Sequence, residues 1–362
     1  MLPTHASDPL DAAFRDAIGA ELASFVQDQR SRYGELAEAV PEVFDLALDF
    51  TSGGKRIRPG FCYWSFVAST RVAPAAAVVR AAASLDLLHV SALLHDDVMD
   101  ASDTRRGIPA AHRQFERRHS SGSGQGDPAA FGRAGAILLG DLLITLSAEM
   151  FDTSGLPQDA LRRALPHVHA MRTEVALGQF LDVRSQALPS DSLASQLADA
   201  VTVTEYKTAS YSVRRPCQIG GAIAGADDAL VGALADFGSP LGRAFQLRDD
   251  LLGIFGDPQV TGKPAGDDLR EGKRTVVLAL ALNQASGADA AILSSLVGAD
   301  LTEQQLDTAR TIIVSSGARD AAEARIASEF DQAMAALDRA EITVDGRIAL
   351  TRLAEMSVHR DA

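Results

Sequence analysis

Aromatic residues make up only 5% of this 362-residue chain, and tryptophan occurs once. Asparagine also occurs once, at Asn283, and cysteine twice. Cys62 and Cys217 lie far apart in sequence, outside any CxxC or zinc-ligand spacing. They exclude a disulfide framework and fit a reducing compartment. Positive charge is in the minority: 34 Lys and Arg against 48 Asp and Glu, a formal net charge of −14. That balance excludes the basic footprint of a nucleic-acid binder. Long apolar runs are missing too. The longest, near residues 136–150, is interrupted by Asp141 and Glu149 and is too short to span a bilayer. The first residues lack the basic start and apolar run of a secretory signal. A soluble, cytoplasmic protein with no transmembrane segment is expected.

Strict apolar–polar alternation is scarce, which argues against sheet, whereas apolar residues at i, i+3, i+4 and i+7 recur throughout. The expected fold class is all-α: a helical bundle, in one domain over residues 1–362 with its core at about 10–350. The pattern predicts a first helix over residues 8–40, with Phe14, Ile18, Leu22, Phe25 and Val26 on its buried face. Further helices are expected over 42–50, 61–70, 74–95, 133–151, 161–185, 192–225, 230–255 and from 276 onward. Gly and Ser predict a flexible loop over 119–132.

Two acidic clusters each end an apolar helix. The first is Asp96-Asp97-Val-Met-Asp100, followed by Arg105-Arg106-Gly107. Asp96 and Asp100 share a helix face, and all-oxygen donors suit a hard cation such as Mg²⁺ bridged to phosphate. Alone, the cluster reads equally as a solvated acidic helix end. The second is Gln246-Leu-Arg-Asp249-Asp250. Gly53-Gly54-Lys55-Arg56-Ile57-Arg58-Pro59 is either an anion site or a basic surface loop; it is not a P-loop, because Arg and not Ser or Thr follows the lysine. His89 either meets a ligand or joins a core polar network. His95-Asp96 superficially matches metal-dependent phosphohydrolases, but a convincing set of further histidines is missing. Glu174, Gln179 and Asp182 either line a cavity or form a solvated stripe. If the two acidic helices lie side by side, their clusters face each other at the mouth of an apolar cavity, an arrangement suited to ionising an allylic diphosphate.

Taken in order, these stretches, with Lys207-Thr208 and Gly262-Lys263-Pro264, resemble the trans-isoprenyl diphosphate synthases of the polyprenyl synthetase family. The resemblance covers roughly residues 10–350 and is closest to bacterial geranylgeranyl diphosphate synthases. It implies a Mg²⁺-dependent prenyltransferase with a deep central cavity, joining isopentenyl diphosphate to an allylic diphosphate. It implies that Asp96, Asp97, Asp100, Asp249 and Asp250 serve the metal. Arg105, Lys207 and Lys263 would clamp the allylic diphosphate, and Lys55, Arg58, His89 and Arg106 would hold isopentenyl diphosphate. Lys207, Thr208 and Gln246 would act in catalysis, the Lys207-Thr208 and Gln246 dipoles facing the carbocation. A homodimer is implied as well.

One position departs from the family pattern: the third aspartate of the second motif is replaced by Gly253. Asp257 is a candidate substitute acting through water. Product length turns on Ser91 and Ala92, where short-chain relatives often carry an aromatic floor. Both are small, which moves the floor deeper, to Leu88. One helical turn is about 5.4 Å, roughly one isoprene unit, so geranylgeranyl diphosphate (C20) is expected. Farnesyl and longer polyprenyl diphosphates are the alternatives, and a non-catalytic subunit of a heteromeric synthase is another. A terpene cyclase fits poorly: its second metal motif begins with Asn, and Asn283 has no such setting.

Overall fold

The computed structural model describes residues 5–122, 124–256 and 266–359. The described chain is α-helical apart from one two-stranded ribbon. In order, the elements are α1 (Ala12–Tyr33), α2 (Val40–Thr51), α3 (Ile57–Ser69), α4 (Ala76–Met99), β1 (Thr104–Arg105) and β2 (Ile108–Pro109). Then come α5 (Ala111–Ser121), α6 (Pro128–Asp152), α7 (Gln158–Ala187), α8 (Leu193–Val203), a π-wound segment (Thr204–Arg214), α9 (Arg215–Ala224) and α10 (Asp228–Phe255). The rest is α11 (Asp267–Arg270), α12 (Val276–Gln284), α13 (Gly287–Leu296), α14 (Glu303–Ser315), α15 (Ala318–Arg339) and α16 (Val344–Val358).

Local chemistry sets many of these boundaries. Asp11 caps α1 by accepting from Phe14 N at 2.7 Å, so the helix starts after residue 8. It ends at Tyr33 and passes into a 3₁₀ turn, Gly34–Leu36, so the expected 8–40 helix stops early and helix resumes only with α2 at Val40. Its buried face is the expected one: Phe14, Ile18, Leu22, Phe25 and Val26 are at most 2% exposed. Asp127 caps α6, accepting from Ala129 N and Ala130 N, with Pro128 pre-set for the first turn. The loop expected over 119–132 is correspondingly shorter, because α5 runs through Ser121.

The backbone divides into two compact units. Unit 1 comprises Met1–Leu165, Ile219–Asp227 and Ile342–Arg352; unit 2 comprises Pro166–Gln218, Asp228–Glu341 and Leu353–Ala362. In unit 1, α4 is buried around most of its circumference by Ala81, Ala82, Ala83, Leu85, Leu87 and Leu88. Small residues let α6 approach, and Ser147 Oγ donates to Ser84 O at 2.9 Å. Two close approaches moor separate chain segments on α3. A Cβ on Gly220 would collide with the Cys62 carbonyl oxygen and lie 2.9 Å from Phe66 N; one on Gly346 would collide with Ala68. Both α4 and α6, at 24 and 25 residues, are long and apolar enough by length and composition to cross a membrane. The helix around residues 136–150 is therefore longer than the sequence pattern indicates, because Pro128–Gly135 adds two turns at its start. In α4 that apolarity is mostly buried within the protein.

In unit 2, α10 is the central element. Gly242 and Gly238 let it touch the π-wound segment, where a Cβ would lie 2.5 Å from Ala209 Cα or 2.6 Å from Arg214 Cα. Arg243 bridges Glu329 (2.7 Å) and Glu205 (2.9 Å), and Arg248 pairs with Glu323 at 2.7 Å.

Gly220→Ala is expected to destabilise the fold by about 1–3 kcal/mol, the usual cost of overpacking a close backbone contact. A thermal melt checks this, and an unchanged midpoint would show that the Gly220–Cys62 contact yields freely.

Candidate active site

The loop before α3 is built on unusual backbone. Gly53 and Gly54 have φ of 69° and 96°, and Arg56 has φ 54°. A left-handed non-glycine residue costs roughly 1–2 kcal/mol, so something must hold Arg56. Its Nη1 donates to Asp86 Oδ2 and its Nη2 to Thr51 O, both at 2.9 Å, and both side chains of the ion pair are about 5% exposed. Arg56 therefore serves the structure, which leaves Lys55 (exposed) and Arg58 (buried) as the other cations of the loop. Asp86 was not legible as a functional position. Its signal was a lone carboxylate between Leu85 and Leu87 in an otherwise apolar stretch.

After α4 the chain turns back in the β1–β2 ribbon, pairing Thr104 with Pro109 and Arg105 with Ile108. Arg106 and Gly107 form its two-residue turn with φ of 53° and 78°, the sign pattern of a type I′ turn. Arginine is an uncommon choice there, and such strain marks functional positions. The turn brings Arg106 against the glycine loop: a Cβ on Gly54 would lie 3.3 Å from Arg106 Nη1. Arg105 folds back on the acidic motif. Its Nε donates to Asp97 Oδ1 at 2.8 Å, a second bond joins Nη2 to the same oxygen, and Asp96 Oδ2 lies 3.8 Å away. Asp97 is buried at 1% exposed; Asp96 and Asp100 are partly exposed.

His89 sits among these cations, partly buried. Burial, followed by the Arg58, Arg106, Arg105 and Arg56 guanidiniums, pushes its imidazole well below the ordinary value. It is neutral at neutral pH. Burial also lowers Arg106, with Asp86 opposing and Arg56, Arg105 and Arg58 adding to the fall. Four guanidiniums around one neutral imidazole form a field that favours an anion. His95 does something else. Its Nε2 lies 3.1 Å from Ile137 O and 3.3 Å from Asp141 Oδ1, so it ties α4 to α6. Ser91 is 1% exposed, and its hydroxyl has no hydrogen-bond partner among the described residues. Leu88, one turn before, is buried, and Ala92 is partly exposed.

Unit 2 carries the second group. Lys207 and Thr208 lie in the π-wound segment, whose wider turns shift backbone carbonyls from α-helical register. Lys207 Nζ donates to Asp182 Oδ2 at 2.6 Å, and Gly178 of α7 lies directly against the Lys207 backbone. Glu174 clamps the far end of the segment, accepting from Arg215, Ser210 and Arg214. Burial raises the Glu174 carboxyl, but the bonds from Arg215 and Ser210 and the charge of Arg214 outweigh it, and its pKa falls to about 2. Thus Glu174 and Asp182, which sequence spacing left undecided, both hold the Lys207 segment. Gln246 Nε2 donates to Asp250 Oδ1 at 2.7 Å. Asp250 is 4% exposed; burial and then Asp268, with Asp249 adding, push its carboxyl well above the usual range. Lys263 and Asp257 lie outside the described residues.

The acidic groups of both units fit a hard divalent cation. Their donors are oxygens only, and among the described residues no three acidic, His or Cys side chains converge. One or two protein carboxylates per ion, completed by water and phosphate oxygens, is the usual Mg²⁺ pattern. At Gly253, a Cβ would fall on the Asp268 carboxylate.

Residues 41–313 match the family model described as Polyprenyl synthetase. The chain belongs to the polyprenyl synthetase family. This family member is 34% identical over 305 residues to a geranylgeranyl diphosphate synthase of Mycobacterium tuberculosis, covering 83% of this chain and 79% of the relative. It is 31% identical over 291 residues to a geranylfarnesyl diphosphate synthase of Aeropyrum pernix, covering 80% and 84%. The crystal structure of a geranylgeranyl pyrophosphate synthase from Corynebacterium glutamicum, complexed with isoprenyl diphosphate and magnesium, superposes with a TM-score of 0.92 at 38% identity, over 96% of this chain and 99% of that one. The fold is thus the isoprenyl diphosphate synthase bundle, and the protein is a prenyltransferase of the trans-isoprenyl diphosphate synthase type.

An anion placed among the guanidiniums would favour protonated His89. Diphosphate binding at pH 6 is therefore expected to take up more protons in the wild type than in His89→Gln. Calorimetry in buffers of different ionisation enthalpy measures the difference; equal uptake would remove His89 from the anion site.

Proposed function

We propose that this prenyltransferase joins isopentenyl diphosphate to an allylic diphosphate with Mg²⁺ and releases geranylgeranyl diphosphate as its main product. The observation that carries the reading is the set of Arg56, Arg58, Arg105 and Arg106 around His89, next to the first acidic motif. Lys55, Arg58, His89 and Arg106 hold the diphosphate of isopentenyl diphosphate, with Arg56 fixing the loop. His89 is neutral before the anion arrives, adding no further charge to that crowd of cations, and its ring N–H donates to the bound diphosphate. Asp96 and Asp100, with Asp97 behind them holding Arg105, receive Mg²⁺ in unit 1. Asp249 and Asp250 do so in unit 2. Mg²⁺ held by these carboxylates would stabilise the negative charge of the diphosphate leaving group. Arg105, Lys207 and Lys263 complete the grip on the allylic diphosphate. The π-wound Lys207-Thr208 carbonyls and Gln246 present fixed dipoles to the developing allylic cation. Both compact units act as one catalytic domain, in keeping with a family match that runs through both.

Small residues at Ser91 and Ala92, with Leu88 one turn deeper, support the C20 product. Purified chain incubated with Mg²⁺, labelled isopentenyl diphosphate and allylic primers is expected to yield C20 chains. No elongation until a second protein is added would overturn the catalytic assignment in favour of a non-catalytic subunit. Ser91→Phe is expected to shift the product by at least one isoprene unit, to C15 or shorter, on the same chromatogram. An unchanged length would move the floor away from residue 91.

The same protein works as a soluble, cytoplasmic homodimer. Its support is α6, whose outward side carries Phe131, Ile137, Leu138 and Ile144 exposed, an apolar face that a second subunit would cover. Leu138, 66% exposed, is the most open of them. Leu138→Glu is expected to halve the mass seen by sedimentation; a mass unchanged from wild type would place the subunit contact elsewhere.

A further inference from the structure

Glycine inside a helix is destabilising relative to alanine, so a helical glycine asks for a reason. At Gly178, Gly220 and Gly242 the reason is packing, because a Cβ would collide with the backbone of a neighbouring element. Gly19, inside α1, is different. A Cβ there would meet only Arg56 Nη2 within 4 Å, at 3.8 Å, which is ordinary van der Waals contact. Packing does not require the missing side chain; what its absence provides is space. Gly19 lines a cleft of about 570 Å³ between α1 and the chain from the end of α2 to Arg56. Lys55, Arg58, His89 and Arg106 do not line it.

The polar groups of this cleft are arranged for a ligand. Arg56 is 6% exposed and yet lines it. A guanidinium carries donors on all three nitrogens, but among the described residues Arg56 makes only two hydrogen bonds. One goes from Nη1 to Asp86 and one from Nη2 to Thr51 O, and its Nε makes none. Asp86 also acts on Arg106, so its charge is shared and not given to Arg56 alone. On α1, Arg15 and Asp16 line the cleft and are exposed, and neither side chain bonds to a described residue. Singly, an exposed Arg or Asp is ordinary. Here the two flank a cleft that also holds a buried guanidinium with donors to spare, and Leu48 and Ala23 add apolar wall.

We propose that the cleft between α1 and the glycine loop is a second ligand site, for a hydroxyl-bearing phosphate monoester such as a sugar phosphate. The phosphate lies between Arg15 and Arg56, which bind it by charge-assisted hydrogen bonds. Asp16 accepts from the hydroxyls and repels an anion that lacks them. The carbon body rests against Leu48 and Ala23 in the space left by Gly19. A cleft of about 570 Å³ suits a small metabolite and exceeds what a lone phosphate fills. The site is independent of the roles given above to Lys55, Arg58, His89 and Arg106.

The test is calorimetric titration of the full chain with ribose 5-phosphate. EDTA and saturating isopentenyl diphosphate are present, so that the substrate's own site is occupied. One ribose 5-phosphate per chain is expected to bind. Gly19→Leu fills the cleft and Arg15→Gln removes its outer cation; each should weaken binding by about tenfold or more, the worth of one charge-assisted hydrogen bond. Neither residue takes part in prenyl transfer, so kcat should stay at the wild-type value. Gly19→Leu should melt no lower than wild type, because leucine favours helix. Asp16→Asn should weaken ribose 5-phosphate but not inorganic phosphate. The proposal fails if the wild type binds no ribose 5-phosphate under these conditions, or if Gly19→Leu and Arg15→Gln bind it as the wild type does. Binding seen only without isopentenyl diphosphate would place the sugar phosphate in the substrate's site and overturn the proposal too. Undiminished ribose 5-phosphate binding in Asp16→Asn would overturn the hydroxyl-bearing class.

Discussion

A charge buried without a partner costs several kcal/mol, so a buried Arg and a buried Asp must meet, and where they meet is where the chain is pinned. Arg56 and Asp86 are that point in unit 1. Their contact joins a glycine loop to the middle of α4 and holds Arg56 in a left-handed conformation it would otherwise avoid. Everything around it follows in register. Lys55 lies on the exposed side and Arg58 on the buried side. His89 lies three residues beyond Asp86, and the first acidic motif lies at the end of the same helix. Asp86 also acts on Arg106, so one carboxylate moderates a cluster of guanidiniums that would otherwise repel each other. The excess positive charge that remains is what an anionic substrate can neutralise.

Unit 2 reaches a comparable result by close backbone approach. Glycines at 178, 238 and 242 let α7 and α10 press against the π-wound segment, and Glu174 and Asp182 fix it by charged bonds. A π-helix is costly on its own. Here it is held by packing on two sides, and it presents Lys207 and Thr208 at its centre. Strain thus gathers at the residues proposed to hold substrate or to fix the loops around it, as at Arg56 and Arg106.

Much of this was legible from residue order. The apolar spacing of α1 and α4 and the two short motifs that carry Lys55–Arg58 and Asp96–Arg106 could be read directly, because helix faces and short motifs are local properties. The 3₁₀ break at Gly34 and the full length of α6 were not. Caps and glycines move helix ends by whole turns without changing the apolar pattern. Nor was the division of labour among the charges. Sequence lists cations, but only the tertiary structure pairs Arg56 with Asp86 and sets Arg58 as the strongest of the guanidiniums acting on His89.

Gly253 shows the limit most clearly. By itself the sequence determined the family, the all-α class and the position where a carboxylate is missing, since these depend on the pattern along one chain. It offered no way to tell which group fills the space beside Gly253. Only the tertiary structure decided that, because the deciding fact is a volume: two groups cannot occupy the same space, and the Asp268 carboxylate already occupies the space that a side chain at 253 would need.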